Sequence, residues 1–348
     1  MNVAANTVVF GAERDLVRVH ADLAPTVEAK LSTLGRTEDI RFSPDNTRLA
    51  VARFHDNAIC IFDIALAGPH GTYAPRISGW RELRSSSLCN PHGFDFIGND
   101  HLVVTNRGGR IAVFDIRPAD TVEEAVFHRD PVRTIKRSAP FRNVRSPGSV
   151  CVTRFSRGHA EILVCNNYAD LVTRHRFPVG RRFGLSSNAV ALRRGLDVPD
   201  GIAVTPDGKR VAISNHNTST VVVYDRQAGL RPGSEPVGRL LGIAYPHGLR
   251  FLAGGTQLCV ADAGAPHVHV YASKDGRWLG DHRPVCSVRV MDDETFLRGH
   301  ANVAEGGPKG LDVDAGGGLL AVSCEELPLA FFAIPPILHA DERLSASV

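Results

Sequence analysis

The chain has no apolar run of 18 residues, so the sequence predicts no membrane-spanning helix. Met1–Asn6 shows no basic stretch leading into an apolar one, so no secretory leader is expected. There is no surplus of charge: 40 basic residues face 37 acidic ones, a net of +3, too little to point to nucleic acid. The densest basic run, Arg133 to Arg145, has little apolar period and reads as a solvated loop or an outer edge strand. The seven cysteines include no CxxC pair. Cys60, Cys151, Cys165, Cys259 and Cys324 fall in expected strands, where cysteine acts as a small buried hydrophobe. A reduced, cytoplasmic setting fits that pattern better than a disulfide framework. The GxSxG elbow, the HExxH pair, the P-loop and a visible serine or cysteine triad are all missing. No segment carries a 3.6-residue apolar period over the length of a helix.

What the chain does have is a repeat. Tyr245-Pro246-His247-Gly248-Leu249-Arg250-Phe251 opens a stretch of three short strands that runs to Tyr271. The same Pro-X-Gly entrance recurs at Pro91-His92-Gly93, Pro199-Asp200-Gly201 and Pro308-Lys309-Gly310. Degenerate copies stand at Pro147-Gly148-Ser149 and Thr37-Glu38-Asp39. The middle residues are 38, 92, 148, 200, 247 and 309, with steps of 54, 56, 52, 47 and 62. Each copy continues with an alternating strand, a turn such as Thr205-Pro206-Asp207-Gly208, and a second strand apolar on both faces. A third strand often ends aromatic-Asp, as in Phe62-Asp63, Phe114-Asp115 and Tyr224-Asp225, and a more polar fourth follows.

Short strands at even spacing predict an all-β fold, a single β-propeller of four-stranded blades spanning 1–348. One blade alone cannot hide its two apolar faces, and a ring of blades can. Seven blades are favoured, with six as the alternative. In the seven-blade reading, Thr7–Phe10 and Leu16–His20 are the second and third strands of a split blade, and Val27–Leu34 is its fourth. Arg343–Val348 supplies the inner strand, so N- and C-terminal strands close the ring. In the six-blade reading the N-terminal strands join the sixth blade.

The Pro-X-Gly entrances, the Pro-Asp-Gly and Pro-Asp-Asn turns and the Val260-Ala261-Asp262 ending resemble the NHL and YVTN class of propellers. They also resemble the related SMP-30-like lactonases and the streptogramin lyases, over most of residues 37–334. No repeat ends in Trp-Asp, so the WD40 pattern is not met, and there is no Gly-Glu-Gly-Pro opening of the SMP-30 kind. The resemblance implies a central cavity in which the residue before glycine binds a divalent metal in the SMP-30-like enzymes, and in which Pro-His-Gly places histidine in the lyases.

The entrance residue opens the innermost strand, so its side chain is expected to face the axis. The set is Glu38, His92, Gly148, Asp200, His247 and Lys309. Two imidazoles and two carboxylates on one channel make Glu38, His92, Asp200 and His247 candidate ligands for Ca, Mg or Zn, and candidate catalytic groups. No organic cofactor is indicated. The competing reading is that these groups bind only channel water and backbone, with Glu38 pairing Lys309. A second ring ends the second strands: Arg53, Asn106, Asn166, Asn215, Asp262 and Cys324. Amide and acid side chains there can stabilise turns, or, with Lys309 and Arg53 on an anionic group, orient a substrate. Glu325 and Glu326 add acids to the same rim. His216 and His55 read as solvent-exposed, and His267 and His269 as surface or inter-blade residues. Two functions follow. One is a small-molecule hydrolase or lyase, metal-assisted, acting on a small polar or anionic molecule. The other is a non-catalytic propeller that binds a protein or ligand on the same face.

Overall fold

The computed structural model describes residues 12–14, 17–67, 72–118, 125–136, 143–180, 186–252, 254–300, 303–327 and 329–334. Their strands form six sheets, each with a core of four antiparallel strands. The inner strands are Thr37–Phe42, Pro91–Ile97, Pro147–Ser156, Pro199–Val204, Pro246–Phe251 and Gly310–Val313. Each packs on the next, and Gly310–Val313 returns to Thr37–Phe42, which closes the ring. The fold is therefore a six-bladed β-propeller.

The favoured count of seven is corrected by one pairing. Arg18–Val19 lies antiparallel to Ala330–Ala333, with Arg18 opposite Phe332, and completes the sixth sheet as its outer strand. No strand is left over among the described residues to start a seventh sheet. Val27–Leu34, expected as a strand, instead falls largely in the helix Pro25–Leu31. Proline suits a first helical turn, and the helix buries Val27 beneath it. Thr7–Phe10 and Arg343–Val348 lie outside the described residues. No helix among the described residues is long and apolar enough to cross a membrane.

The entrance motif has a structural cause. Pro91 pairs with Asn106 and Phe94 with Val104, so His92 and Gly93 together oppose Thr105. The same two-against-one bulge occurs at entrances 38, 148, 200 and 247. A bulge re-aims a side chain, here the X residue. Glycine after X lets the inner strands crowd the axis. A Cβ on Gly201 would sit 1.9 Å from the His247 carbonyl oxygen, and one on Gly93 would sit 2.5 Å from Ser149 Cα.

Six apolar clusters fill the six interfaces between blades. Between the first two blades, Ala52, Ile59 and Ile61 meet Phe94, Leu102 and Val104, all fully or almost fully buried. Each large side chain so buried contributes about 1.5–3 kcal/mol. Outer edges are covered by short parallel strands. Val126–His128 joins the outer strand of the first blade, Gly280–His282 that of the fourth and Ala12–Arg14 that of the fifth. Each precedes the outer strand of the following blade, so neighbouring edges are stitched and shielded.

Candidate functional site

The bulges bring Glu38, His92, Asp200 and His247 together at one end of the axis, all buried. The two imidazole rings stand 5.4 Å apart, centroid to centroid. Glu38 Oε2 lies 3.6 Å from His92 Nε2 and 3.9 Å from His247 Nε2. Asp200 Oδ1 lies 3.7 Å from His92 Nε2, and Asp200 Oδ2 lies 3.4 Å from His247 Nδ1. Glu38, His92 and His247 line part of a cavity of about 560 Å³ that also takes in Phe54, Tyr168 and Tyr245, with Asp200 buried behind them.

The fourth and fifth entrances meet further groups that the sequence reading did not place here. Arg107 Nη2 donates to Asp200 Oδ1 at 3.0 Å and lies 2.8 Å from His92 Nε2. Guanidinium only donates, so His92 Nε2 accepts and the ring carries its proton on Nδ1. Asn167 Nδ2 donates to the same Asp200 oxygen at 2.9 Å. His216 is buried, not exposed as the sequence suggested. It packs on Tyr245 at 4.2 Å between ring centroids and sets Nε2 3.5 Å from Asp200 Oδ2.

The missed residues share a simple signal. Phe54, Arg107, Asn167 and His216 each follow one member of the second ring that the repeat revealed, as does Glu325, which the sequence does place at the rim. That ring itself turns to backbone. Asn106 accepts from the Cys89 N–H at 2.8 Å, Asn166 from Arg145 at 2.9 Å and Asn215 from Asp197 at 3.1 Å. Asp262 accepts from Ala244 and Tyr245 at 2.8 and 2.7 Å, and from His269 Nε2 at 3.1 Å. These side chains anchor the loops that lead into the entrances, and not the cavity. Arg53 is also turned away. Its guanidinium meets Glu82 at 2.5 Å, Asp56 at 2.8 Å and the carbonyls of Leu34 and Thr33. His267 and His269 are buried within the fifth blade.

Lys309 is buried among carboxylates: Glu305 at 2.6 Å, Glu325 at 3.4 Å and Glu38 at 3.5 Å. Burial opposes its charge, yet Glu38 and Glu305 outweigh that and raise its pKa. Arg36 adds a second cation, 2.5 Å from Glu38 Oε1 and 3.0 Å from Glu325. Burial likewise opposes ionisation of Glu38, but Lys309, His92 and Arg36 hold its carboxyl far below the usual range. Asp200 is held well below it too, against burial, by the three imidazoles that face it. Burial, then Arg107, pushes His92 down to about 3, so it is neutral at pH 7. Burial also lowers His247.

Two ligand sets of metal-binding type result. Glu38, His92 and His247 form one, and Asp200, His216 and His247 the other, each with its ligand atoms within 4.8 Å of one another. Among these buried groups Glu38 Oε2, His92 Nδ1, Asp200 Oδ2 and His216 Nε2 have no hydrogen-bond partner, and His92 Nδ1 is the nitrogen that carries its ring's proton. The donor set, imidazole and carboxylate with unpartnered atoms, suits a divalent cation.

No family model matches the chain, and no curated protein sequence matches it. Solved structures share its fold. A candidate 6-phosphogluconolactonase of Bacteroides fragilis is 13% identical, with a TM-score of 0.53, over 86% of this chain and 80% of that one. The Cps50 (Swd1) β-propeller domain of Myceliophteria thermophila is 10% identical, with a TM-score of 0.54, over 86% of this chain and 98% of that one. A chain of a mitotic checkpoint complex is 10% identical, with a TM-score of 0.51, over 86% of this chain and 76% of that one. At such identities the likeness is one of fold, and the same fold serves a lactonase-like protein and protein assemblies alike.

Proposed function

We propose that the protein is a hydrolase or lyase acting on a small anionic molecule at the mouth of its axial channel, assisted by a divalent cation. One observation carries this reading: buried polar atoms of Glu38, Asp200 and His216 converge without partners. Each such atom costs about 1–3 kcal/mol, a cost that a guest supplying the missing contact would relieve. The cavity, about 560 Å³, has the size of a small-molecule site.

The chain's own residues divide the work. Arg107 and Arg36, with side chains 22% and 23% exposed, face the cavity and suit a carboxylate or phosphate on the substrate. Phe54, Tyr168 and Tyr245 shelter its apolar part. Asp200 and Glu38 supply fixed negative charge. His92, neutral and bonded to Arg107, forms a polar wall and orients that guanidinium. His247 is a neutral imidazole whose single lone pair would hold the ion. A bound divalent ion would add Lewis acidity to polarise a carbonyl or phosphoryl group.

A second reading is a propeller that binds a protein or ligand without chemistry. It is favoured by Tyr168, which stands 71% exposed on the rim. Thermal-shift screening of lactones, carboxylates and phosphate esters separates the two. The enzyme reading expects hits that are lost in Arg107→Ala and are turned over by the wild type but not by His247→Ala. Hits that bind and are recovered unchanged would favour the scaffold.

A further inference from the structure

The two ligand sets compete for His247. A neutral imidazole has one lone pair, and its other nitrogen carries the proton. Only one set can therefore use this ring at a time, and three features favour the same one.

The first is occupancy of the lone pairs. His92 Nε2 accepts from Arg107 at 2.8 Å, so its set lacks a free nitrogen on that side. Asp200 Oδ2 and His216 Nε2 have no partner, and their side chains are 0% and 6% exposed. The second is charge. Glu38 already holds two cations, Lys309 and Arg36, against one, Arg107, on Asp200. The third is spacing. Asp200 Oδ2 lies 3.4 Å from His247 Nδ1 and 3.5 Å from His216 Nε2. Bonds of about 2.0–2.1 Å to a tetrahedral ion put neighbouring ligands about 3.3–3.4 Å apart. The Glu38 set is wider, at 3.6 and 3.9 Å.

We infer that Asp200, His216 and His247 form a three-ligand divalent-cation site of zinc type, open on its fourth side to the cavity. This rests on reading the channel mouth as a reactive site. The surroundings orient each ligand as an outer sphere does. Asp200 Oδ1 is fixed by Arg107 and Asn167, which turns Oδ2 towards the imidazoles. Glu38 Oε2 stands 3.9 Å from His247 Nε2, on the side where the ring keeps its proton once Nδ1 binds the ion. Gly148 makes room for this arrangement: a Cβ there would lie 2.5 Å from Asn167 Oδ1 and 2.8 Å from Asp200 Oδ1.

The full chain, stripped with chelator and dialysed, can be titrated with Zn(II) by calorimetry and with Co(II) by visible absorption. We expect one ion per chain and the strong Co(II) band of four-coordinate geometry. His216→Ala and Asp200→Asn each weaken binding by more than about 100-fold, beyond the 10–100-fold typical of outer-sphere loss. Glu38→Gln weakens it by about 10–100-fold, and His92→Ala by less than about tenfold. His216→Gln serves as a second variant, and near-UV circular dichroism shows that each variant is folded. Wild type that takes up neither metal overturns the site. So does binding that is lost in His92→Ala but kept in His216→Ala. The enzyme reading fails separately, where the metal-loaded chain turns over none of the compounds it binds.

Discussion

The mouth and the floor of the channel are built three residues apart on the same inner strands, yet they hold charge in opposite ways. At the mouth stand Glu38, His92, Asp200, His247 and Lys309. At the floor stand Arg41, Asp95, Cys151, Ala203, Arg250 and Asp312, around a cavity of about 200 Å³. Each floor carboxyl bridges to a neighbouring blade. Asp95 accepts from the Val152 N–H at 2.7 Å and Asp312 from Phe42 at 2.8 Å. Asp39, one residue past the first entrance, accepts from Phe94 at 3.2 Å. Arg41 meets Asp39, and Arg250 meets Asp312, each at 2.5 Å. Both oxygens of all three carboxyls are bonded. The floor thus clasps the ring, whereas the mouth leaves oxygens and nitrogens open to a guest.

The largest effect comes from unbalancing the mouth. Lys309→Met removes the ammonium that sits 1% exposed among three carboxylates. An uncompensated buried charge costs about 3–5 kcal/mol, which urea unfolding at pH 7 would show. Adding Glu38→Gln should restore part of that loss. If Lys309→Met costs less than about 1 kcal/mol, Arg36 alone balances the mouth, and the contrast with the floor weakens.

The two ends also titrate with opposite sign. Burial raises Asp95 to about 7, and Arg41 opposes it; Asp39 rises to about 7 and Asp312 to about 6 by the same balance. A raised carboxyl binds its proton more tightly in the fold than in the unfolded chain. Its stabilisation is complete below the ordinary aspartate range and fades as pH climbs towards 7. Glu38 and Asp200 are depressed, so theirs is complete above that range and fades on acidification. Asp95 faces Arg41, Cys151 and Asp312. Asp95→Asn should flatten the loss between pH 4 and 7 by at most about 4 kcal/mol. Asp200→Asn should flatten only the acid limb. Urea midpoints at three pH values read both slopes.

How far this contrast was legible from sequence depends on distance along the chain. The entrances were readable because Pro-X-Gly is a local necessity: the bulge needs X to turn and glycine to admit the next strand. The blade number was not, because it rests on Arg18 meeting Phe332 across nearly the whole chain. The stretch that wraps around the ends is longer than one repeat and shorter than two, and part of it forms the helix Pro25–Leu31 and not a strand. The second ring was found one residue early. Side chains alternate along a strand, so Asn106 turns to the loop while Arg107 turns to the cavity. His216 was assigned to solvent for the same reason, since its turn folds back over the axis and not outward. The floor carried no motif at all: Asp95 and Asp312 acquire meaning only from the N–H of another blade.

That one-residue offset can itself be tested. Asn106→Ala orphans the Cys89 N–H and should cost about 1–2 kcal/mol, with ligand and metal binding unchanged.

Arg107→Ala should reach the cavity as well. Its guanidinium is partly exposed but its partner Asp200 is 0% exposed, so the loss of the pair should cost about 1–3 kcal/mol. A more specific consequence lies in His92. Burial is the larger cause of that ring's low pKa and remains in the variant, but the adjacent positive charge is gone. Asp200 and Glu38, which favour the charged imidazole, then act unopposed by Arg107. His92 should therefore titrate above its wild-type value, and its Nε2 should be free to donate. Histidine resonances followed by NMR from pH 3 to 7 measure this directly. An unchanged His92 titration would mean that burial alone keeps the ring neutral. Arg107 would then be a bystander at the mouth and not the group that holds His92 and Asp200 in place.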